Sequence, residues 1–297
     1  MNNFWKRTAT AVIFVIVLLA AIWHPVSCAL LFGVIALLSV NEFYNITRHD
    51  TDSHVNKIGG MTLATIPFLV YFIPLSVCSF FSIENSSGFF RGYTIPFLFL
   101  CTMAIQAIAS IFIFIAELFR NKGNSLRNLS YLFFGQIFFI YPWIIATILP
   151  YYETTPSLLT IFKSEILYAL FFTIWLNDTG AYLCGCTLGK HKFFERISPK
   201  KTWEGFAGGA LLAILAGAFV FPHLFGKGQI FWLLFTLIAV VFGTLGDLIE
   251  SLIKRSVGVK DSGNILPGHG GILDRFDSFM FAAPAIFIYI SIYYVIL

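Results

Sequence analysis

Charge is scarce in this chain: of 297 residues, 15 are Asp or Glu and 19 are Lys or Arg, 11% together. Ordinary soluble domains carry about 25% charged residues, so a water-covered globule is a poor fit. Hydrophobic residues reach 58%. No long linker, low-complexity tract or polar extension interrupts the chain, so a separable soluble domain is not expected. Cysteine is equally unhelpful as a framework. Cys28, Cys78, Cys101, Cys184 and Cys186 are odd in number and all lie in apolar stretches. Cys184 and Cys186, two apart, face different sides of a helix. They lack the further Cys or His of a zinc site and read as packing residues. An internal repeat is missing too, which argues against the duplicated halves of many transporters.

What the chain has is a succession of apolar runs of bilayer-crossing length, roughly 17–25 residues. Nine are recognised, at about 8–23, 26–44, 61–82, 93–119, 128–150, 164–187, 205–225, 229–250 and 276–297. The expected fold is therefore all-α, a polytopic membrane protein with about nine transmembrane helices. Only the His24-Pro25 turn divides the first two runs, so one re-entrant unit also suits them. The 93–119 run has to tilt or extend into the interface. Lys6-Arg7 and the apolar run after it have the form of a signal peptide. A second span follows at once without a convincing cleavage site, so an uncleaved first helix is expected.

With nine spans and the N-terminus inside, sixteen basic residues fall on the cytoplasmic side, and only Arg91, Lys163 and Lys227 on the other. That asymmetry follows the positive-inside rule. It predicts a multi-pass protein of the inner (cytoplasmic) membrane, with loops 188–204 and 251–275 in the cytoplasm beside the nucleoside triphosphates.

Function divides unevenly along the chain. Residues 1–163 read as scaffold helices facing lipid, with Glu42 and Glu117 near helix ends and expected to snorkel to the interface. Residues 164–297 hold nearly everything polar and read as the catalytic region. Between Ser251 and Asp277 the chain spells SLIKRSVGVKDSGNILPGHGGILDRFD. Carboxylates suit hard cations, Lys and Arg suit phosphate, and glycine lets backbone approach a ligand. Asp247, Glu250 and Lys254 share one helical face at spacings of three and four. Asp274 and Asp277 repeat the spacing where the ninth span begins. If the eighth and ninth helices are antiparallel neighbours, Asp247, Asp274 and Asp277 converge on one or two divalent cations. The alternative is a set of salt bridges with Lys254, Arg255 and Arg275 that seals the bilayer surface. The turn Pro267-Gly268-His269-Gly270-Gly271 could hold phosphate on its N–H groups, or simply connect. His269 could bind phosphate, shuttle a proton, or be structural.

A second constellation begins in the sixth span with Asn177 and Asp178, since a carboxylate within a span is a functional candidate or else a hydrogen-bonded packing residue. The loop after it reads Ile197-Ser198-Pro199-Lys200-Lys201-Thr202-Trp203-Glu204-Gly205. Its lysines, hydroxyls and tryptophan suit a triphosphate or a lipid phosphate, or a plain positive-inside anchor. Gly185–Lys190 is one residue short of a P-loop, lacks its final Ser or Thr and follows a helix, so it is discarded. Gly205, Gly209, Ala213 and Gly217 form a small-residue stripe for close helix packing.

These segments together resemble one family. Ser251-x-x-Lys254-Arg255, Lys260-Asp261-x-Gly263 and Leu266-Pro267-x-His269-Gly270-Gly271-Ile272-x-Asp274-Arg275-Phe276-Asp277 look like the signature of the phosphatidate cytidylyltransferases, or CDP-diacylglycerol synthases. Asn177-Asp178-x-x-Ala181-Tyr182, Ser198-Pro199-Lys200-Lys201-Thr202-x-Glu204-Gly205 and Gly246-Asp247-x-x-Glu250-Ser251 resemble the family's other segments, in the same order. The likeness is dense over about 175–277 and generic before residue 160. It implies a membrane nucleotidyltransferase of phospholipid biosynthesis that moves CMP from CTP to phosphatidic acid, giving CDP-diacylglycerol and pyrophosphate.

It further implies Asp247, Asp274 and Asp277 as catalytic residues and metal ligands, with Asp178 and Asp261 as further candidates. Lys254, Arg255 and Arg275 join the catalytic set. Ser198, Lys200, Lys201, Thr202, Lys260, His269, Gly270 and Gly271 are expected to bind substrate. Magnesium is the expected cofactor, with room for a second cation. CTP, phosphatidic acid and the bilayer are the expected partners, with no nucleic acid and with a homodimer left open. The competing readings are a CTP-dependent polyprenol or phytol-type lipid kinase and an ion-coupled transporter titrating Asp178 and Asp247.

Overall fold

The computed structural model describes residues 2–72, 88–151, 162–265 and 270–296. It is helical apart from one short hairpin, and it divides into two compact units. The first comprises Met1–Ser164 with Val257–Asp274, the second Glu165–Ser256 with Arg275–Leu297.

The first unit contains α1 (Asn2–Ile22), α2 (Pro25–Ile46), α3 (Lys57–Pro67), α4 (Gly88–Arg120), α5 (Ser125–Phe139) and α6 (Tyr141–Ile148). At the α1–α2 turn, His24 Nδ1 accepts the Val26 N–H at 3.3 Å. Pro25 fills the first helical turn, where its missing N–H costs nothing. Tyr44 pins α2 to its neighbours. Its hydroxyl donates to the Leu132 carbonyl at 2.8 Å and accepts from Gln136 Nε2 at 2.9 Å. Gly60 and Gly135 make room for the ring, since a Cβ on either would lie 2.6 or 2.7 Å from it. Glu42 and Glu117 do not snorkel: they are 2% and 4% exposed. Glu117 accepts from Arg120 at 2.8 Å and Asn128 at 2.6 Å, so its charge is matched inside the unit.

The second unit contains α7 (Glu165–Leu188), strands β1 (Lys192–Phe194) and β2 (Ser198–Thr202), α8 (Trp203–Phe219), the short α9 (Phe221–Phe225), α10 (Gln229–Ser256) and the part of α11 (Leu273–Ile296) from Arg275 onward. The predicted stripe Gly205, Gly209, Ala213 and Gly217 is the buried face of α8. A Cβ on Gly180 of α7 would stand 2.9 Å from the Gly209 Cα, and one on Gly205 would stand 2.9 Å from the Ala181 carbonyl. The two helices thus touch backbone to backbone. On the other side, α10 and α11 run antiparallel: Gly246 meets Asp277 and Phe281, and Phe231 meets Tyr289 and Tyr293.

Five helical stretches are long and apolar enough to cross a membrane: Pro25–His49, Leu100–Arg120, Ser125–Tyr151, Gln229–Ser256 and Leu273–Tyr294. Thr10–Ile22, Lys57–Val70 and Trp203–Phe219 are apolar but shorter. The expected count of nine is therefore not reached among the described residues. The run at 205–225 breaks at Val220, where Pro222 starts a new helix; the run at 128–150 is interrupted at Ile140 ahead of Pro142 but still counts as one span. Proline cannot donate to a continuing helix. The run at 61–82 extends into residues outside those described.

Candidate functional site

The loop expected between the sixth and seventh spans is a hairpin. Its strands β1 and β2 pair antiparallel, Lys192 opposite Thr202 and Phe194 opposite Ser198. Thr202 then caps α8, its Oγ1 accepting the Gly205 N–H at 3.1 Å. Glu204, in the turn before the apolar part of α8, reaches back across the hairpin. It meets His191 Nδ1 at 2.6 Å and accepts the Lys190 and His191 N–H groups at 3.1 and 3.2 Å. The His191 contact, with those backbone donors, pulls the Glu204 carboxyl down to about 2. Phe193 stacks on Phe206 and meets Trp203 edge-on at 4.3 Å. Two lysines on a polar loop are in this way fixed over the α7–α8 crossing.

Beneath the hairpin lies a cavity of about 260 Å³. Asn177, Asp178 and Tyr182 enter it from α7, and Lys200, Lys201 and Phe193 from the hairpin. Phe206 closes it from α8, Thr244 and Asp247 from α10, and Ser278 from α11. Lys201 Nζ pairs with Asp247 Oδ2, and Ser251 Oγ stands 3.5 Å from the other Asp247 oxygen. Asp178 lies within electrostatic reach of both Asp247 and Lys201. Asp277 lies within reach of Asp247, Glu250 and Asp178, and its Oδ1 accepts the Ser278 N–H at 2.6 Å. The side-chain oxygen of Asn177, a residue of the cavity wall, is buried against Gly209 with no hydrogen-bond partner among the described residues.

Carboxylates and an amide oxygen form the donor chemistry of a hard divalent cation. Among the described residues, however, no three His, Cys, Asp or Glu side chains are gathered closely enough to hold a metal ion. Lys201 supplies the local positive charge at Asp247.

The other expected residues are placed as follows. Lys254 is 8% exposed and pairs with Glu250 at 2.6 Å, one helical turn earlier. Arg255, Lys260, Asp261, Arg275 and Lys200 are exposed, and Ser198 is half-buried. His269 lies outside the described residues. Asp274 belongs to the first unit, where its carboxylate accepts the Ser262 N–H at 3.1 Å and the Gly271 N–H at 3.0 Å. Gly270 has φ +85°, which a side chain would strain.

Sequence reasoning missed Glu42. It accepts the Ser262 hydroxyl at 3.0 Å, the Ile272 N–H at 3.0 Å and the Leu273 N–H at 2.9 Å, so it caps the start of α11. Gly263 presses on the same carboxylate: a Cβ there would stand 2.6 Å from Oε1. Gly271 likewise packs against it. These glycines of the polar stretch make room for a buried acid of α2. The only signal in the sequence was a lone carboxylate inside an apolar run. Tyr182, Phe193, Phe206, Thr244 and Ser278 were missed as cavity walls because nothing in their spacing marks them.

Residues 5–293 match the cytidylyltransferase family. A phosphatidate cytidylyltransferase of Bacillus subtilis (strain 168) is 54% identical over 121 residues, which cover 40% of this chain and 45% of that one. One from Staphylococcus haemolyticus (strain JCSC1435) is 56% identical over 120 residues, 40% of this chain and 46% of its own. One from Staphylococcus aureus (strain COL) is 46% identical over 168 residues, 56% of this chain and 58% of its own. The chain thus spans about half the length of the curated relatives it matches.

Proposed function

We propose that this chain, which belongs to the cytidylyltransferase family, transfers CMP from CTP to phosphatidic acid. The observation that carries this reading is the cavity in which Lys200 and Lys201 stand over Asp178 and Asp247. It offers cations for phosphate oxygens and carboxylates for a metal counter-ion in one place. The matching relatives, which are phosphatidate cytidylyltransferases, supply the nucleotide and the lipid.

In the reaction an oxygen of the lipid phosphate bonds to the α-phosphorus of CTP while the bond from that phosphorus to the β-phosphate oxygen breaks. CDP-diacylglycerol forms and pyrophosphate leaves with the electron pair. A phosphate monoester has a second pKa of about 6, so the nucleophile is already largely ionised and needs no dedicated base. The task left to the protein is to hold two polyanions together and steady the charge on the leaving group. Lys200 is free to swing onto a phosphate oxygen from its exposed strand. Lys201 can exchange Asp247 for a substrate phosphate. Asp178, Asp247 and Asp277 are not gathered as a finished metal site; magnesium brought in with the triphosphate would be held by those that draw together around it, and would supply charge neutralisation of the phosphates. Asp261 and Asp274 are less suited, the first exposed and the second engaged by backbone N–H groups. The phosphate-binding side is assigned to the cytoplasm of a bacterial inner membrane on the strength of the basic-residue asymmetry.

The test is incubation of purified protein in detergent with phosphatidic acid, magnesium and CTP labelled at the α or the γ position. α-Label should enter the lipid and γ-label should leave as pyrophosphate. γ-Label in a lipid would instead make the protein a kinase.

A further inference from the structure

The first unit holds two cations, Arg48 and Lys57, that pair directly with no carboxylate among the described residues. Arg48 follows α2 and Lys57 opens α3; together with Lys122 they line a cavity of about 580 Å³. Neither Arg48 nor Lys57 forms an ion pair among the described residues; Lys57 Nζ donates instead to the Asn45 side-chain oxygen at 2.8 Å. The nearby acids are already engaged. Asp50, which lines the same cavity, shares Arg127 with Asp52 and accepts from the Tyr131 hydroxyl at 2.9 Å, while Glu117 takes Arg120 and Asn128. Burial, and then the charge of Arg48, push the Lys57 ammonium below the usual lysine range. Two like charges held close without a counter-ion are a standing demand for an anion.

Two further features say which anion. Ser53 lines the same cavity, is only 4% exposed, and its hydroxyl has no hydrogen-bond partner among the described residues. A hydroxyl beside a guanidinium and an ammonium is a phosphate-binding set. Arg48 and Lys57 also head a second, more apolar slot of about 520 Å³ that runs along α3 past Ile58, Met61 and Thr65. Ile58, 83% exposed, gives that slot an apolar wall. Arg48 stands at the end of the apolar stretch Pro25–His49, where headgroups of a bilayer would lie. A polar, cationic head continuing into an apolar slot matches one chemical class.

We propose that Arg48, Lys57 and Ser53 bind the phosphate of an anionic membrane lipid whose acyl chain lies along α3, at a site sharing no residue with the Asp247 cavity. The inference does not depend on the catalytic reading, because it can be tested with a lipid that is not a phosphate monoester.

The experiment is native mass spectrometry of the full-length protein released from detergent with phosphatidylglycerol or phosphatidylcholine added. The wild-type protein should retain phosphatidylglycerol in preference to phosphatidylcholine. Each cation near an anionic lipid contributes about a fivefold factor, so Arg48→Gln/Lys57→Gln should lose roughly 25-fold in retention. Arg48→Lys/Lys57→Arg, which keeps both charges, should retain the lipid and guards against misfolding of the first variant. A charge-matched control, Lys192→Gln/Arg196→Gln, should bind as wild type. Equal retention by wild type and the Gln variant, or no preference for the anionic lipid, overturns the proposal. Displacement by millimolar inorganic phosphate also overturns it, because the site would then take free phosphate rather than lipid.

Discussion

Glu42 shows how much a single buried side chain can organise. Two carboxylate oxygens satisfy a hydroxyl and two backbone N–H groups of the 262–273 segment. Glutamine would turn an amide N–H₂ toward at least one of those donors. An unsatisfied buried donor costs about 1–3 kcal/mol, so Glu42→Gln should lower the unfolding midpoint in detergent and reduce α-label transfer to lipid. Gly263→Ala should reproduce the effect by pushing a methyl into the same oxygen. In the double variant the two losses should be less than additive, because both act on one contact. Full additivity would mean that the contact is not shared. None of this was legible in the sequence, since Glu42 and its donors lie some 220 residues apart. By contrast, of the three carboxylates expected to converge, the nearness of Asp247 and Asp277 follows from antiparallel helices, whereas Asp274, expected with them, is taken up by the Ser262 and Gly271 N–H groups.

At the scale of elements, the hairpin and the α7–α8 crossing had opposite fates in the sequence. The crossing was written as a four-residue glycine period and needed only helix geometry to be read. The hairpin was hidden because Ser198-Pro199-Lys200-Lys201-Thr202 has no apolar alternation. Its register rests on Glu204 reaching His191 thirteen positions back. That link predicts a pH response. The Glu204 carboxyl is held at about 2, below its ordinary 4.5. Its contribution to hairpin stability is therefore fully present above about 4.5 and lost as pH falls through 2. Hydrogen exchange at the Lys190, His191 and Trp203 amides, measured from pH 6 to 2, should show protection falling only below about 4.5. Glu204→Gln should flatten that dependence and lower protection throughout. A hairpin whose exchange ignores both acid and substitution would not be held by this contact.

For the whole molecule, the basic asymmetry predicts that the hairpin and the 257–265 segment face the cytoplasm. Single cysteines at Glu195 and Lys260, both exposed, in a variant otherwise free of cysteine, should react with an impermeant thiol reagent only after cells are opened. Labelling of either position in sealed cells would reverse the orientation. Span counting was the weaker part of the sequence reading because hydropathy cannot see where Pro222 ends one helix and begins another.

The end of α10 remote from Asp247 is built as a fixed stop. Lys227 stands 4.6 Å over the Phe231 ring and 4.7 Å over that of Tyr294, and the Tyr289 hydroxyl donates to the Phe231 carbonyl at 2.9 Å. Cation and aromatic rings of this kind settle at a headgroup boundary. From Phe231 to Asp247 the helix rises about 24 Å at ~1.5 Å per residue, somewhat less than a hydrocarbon thickness of about 30 Å. If α10 crosses the bilayer as its length and hydropathy predict, it would act as a measuring rod, clamped in one leaflet and carrying its carboxylate just short of the opposite surface. Membrane thickness would then set the rate of the proposed transfer. In vesicles of progressively longer-chain lipid, α-label transfer should pass through a maximum and fall as Asp247 sinks below the headgroups. Lys227→Leu, which loosens the stop, should broaden that maximum.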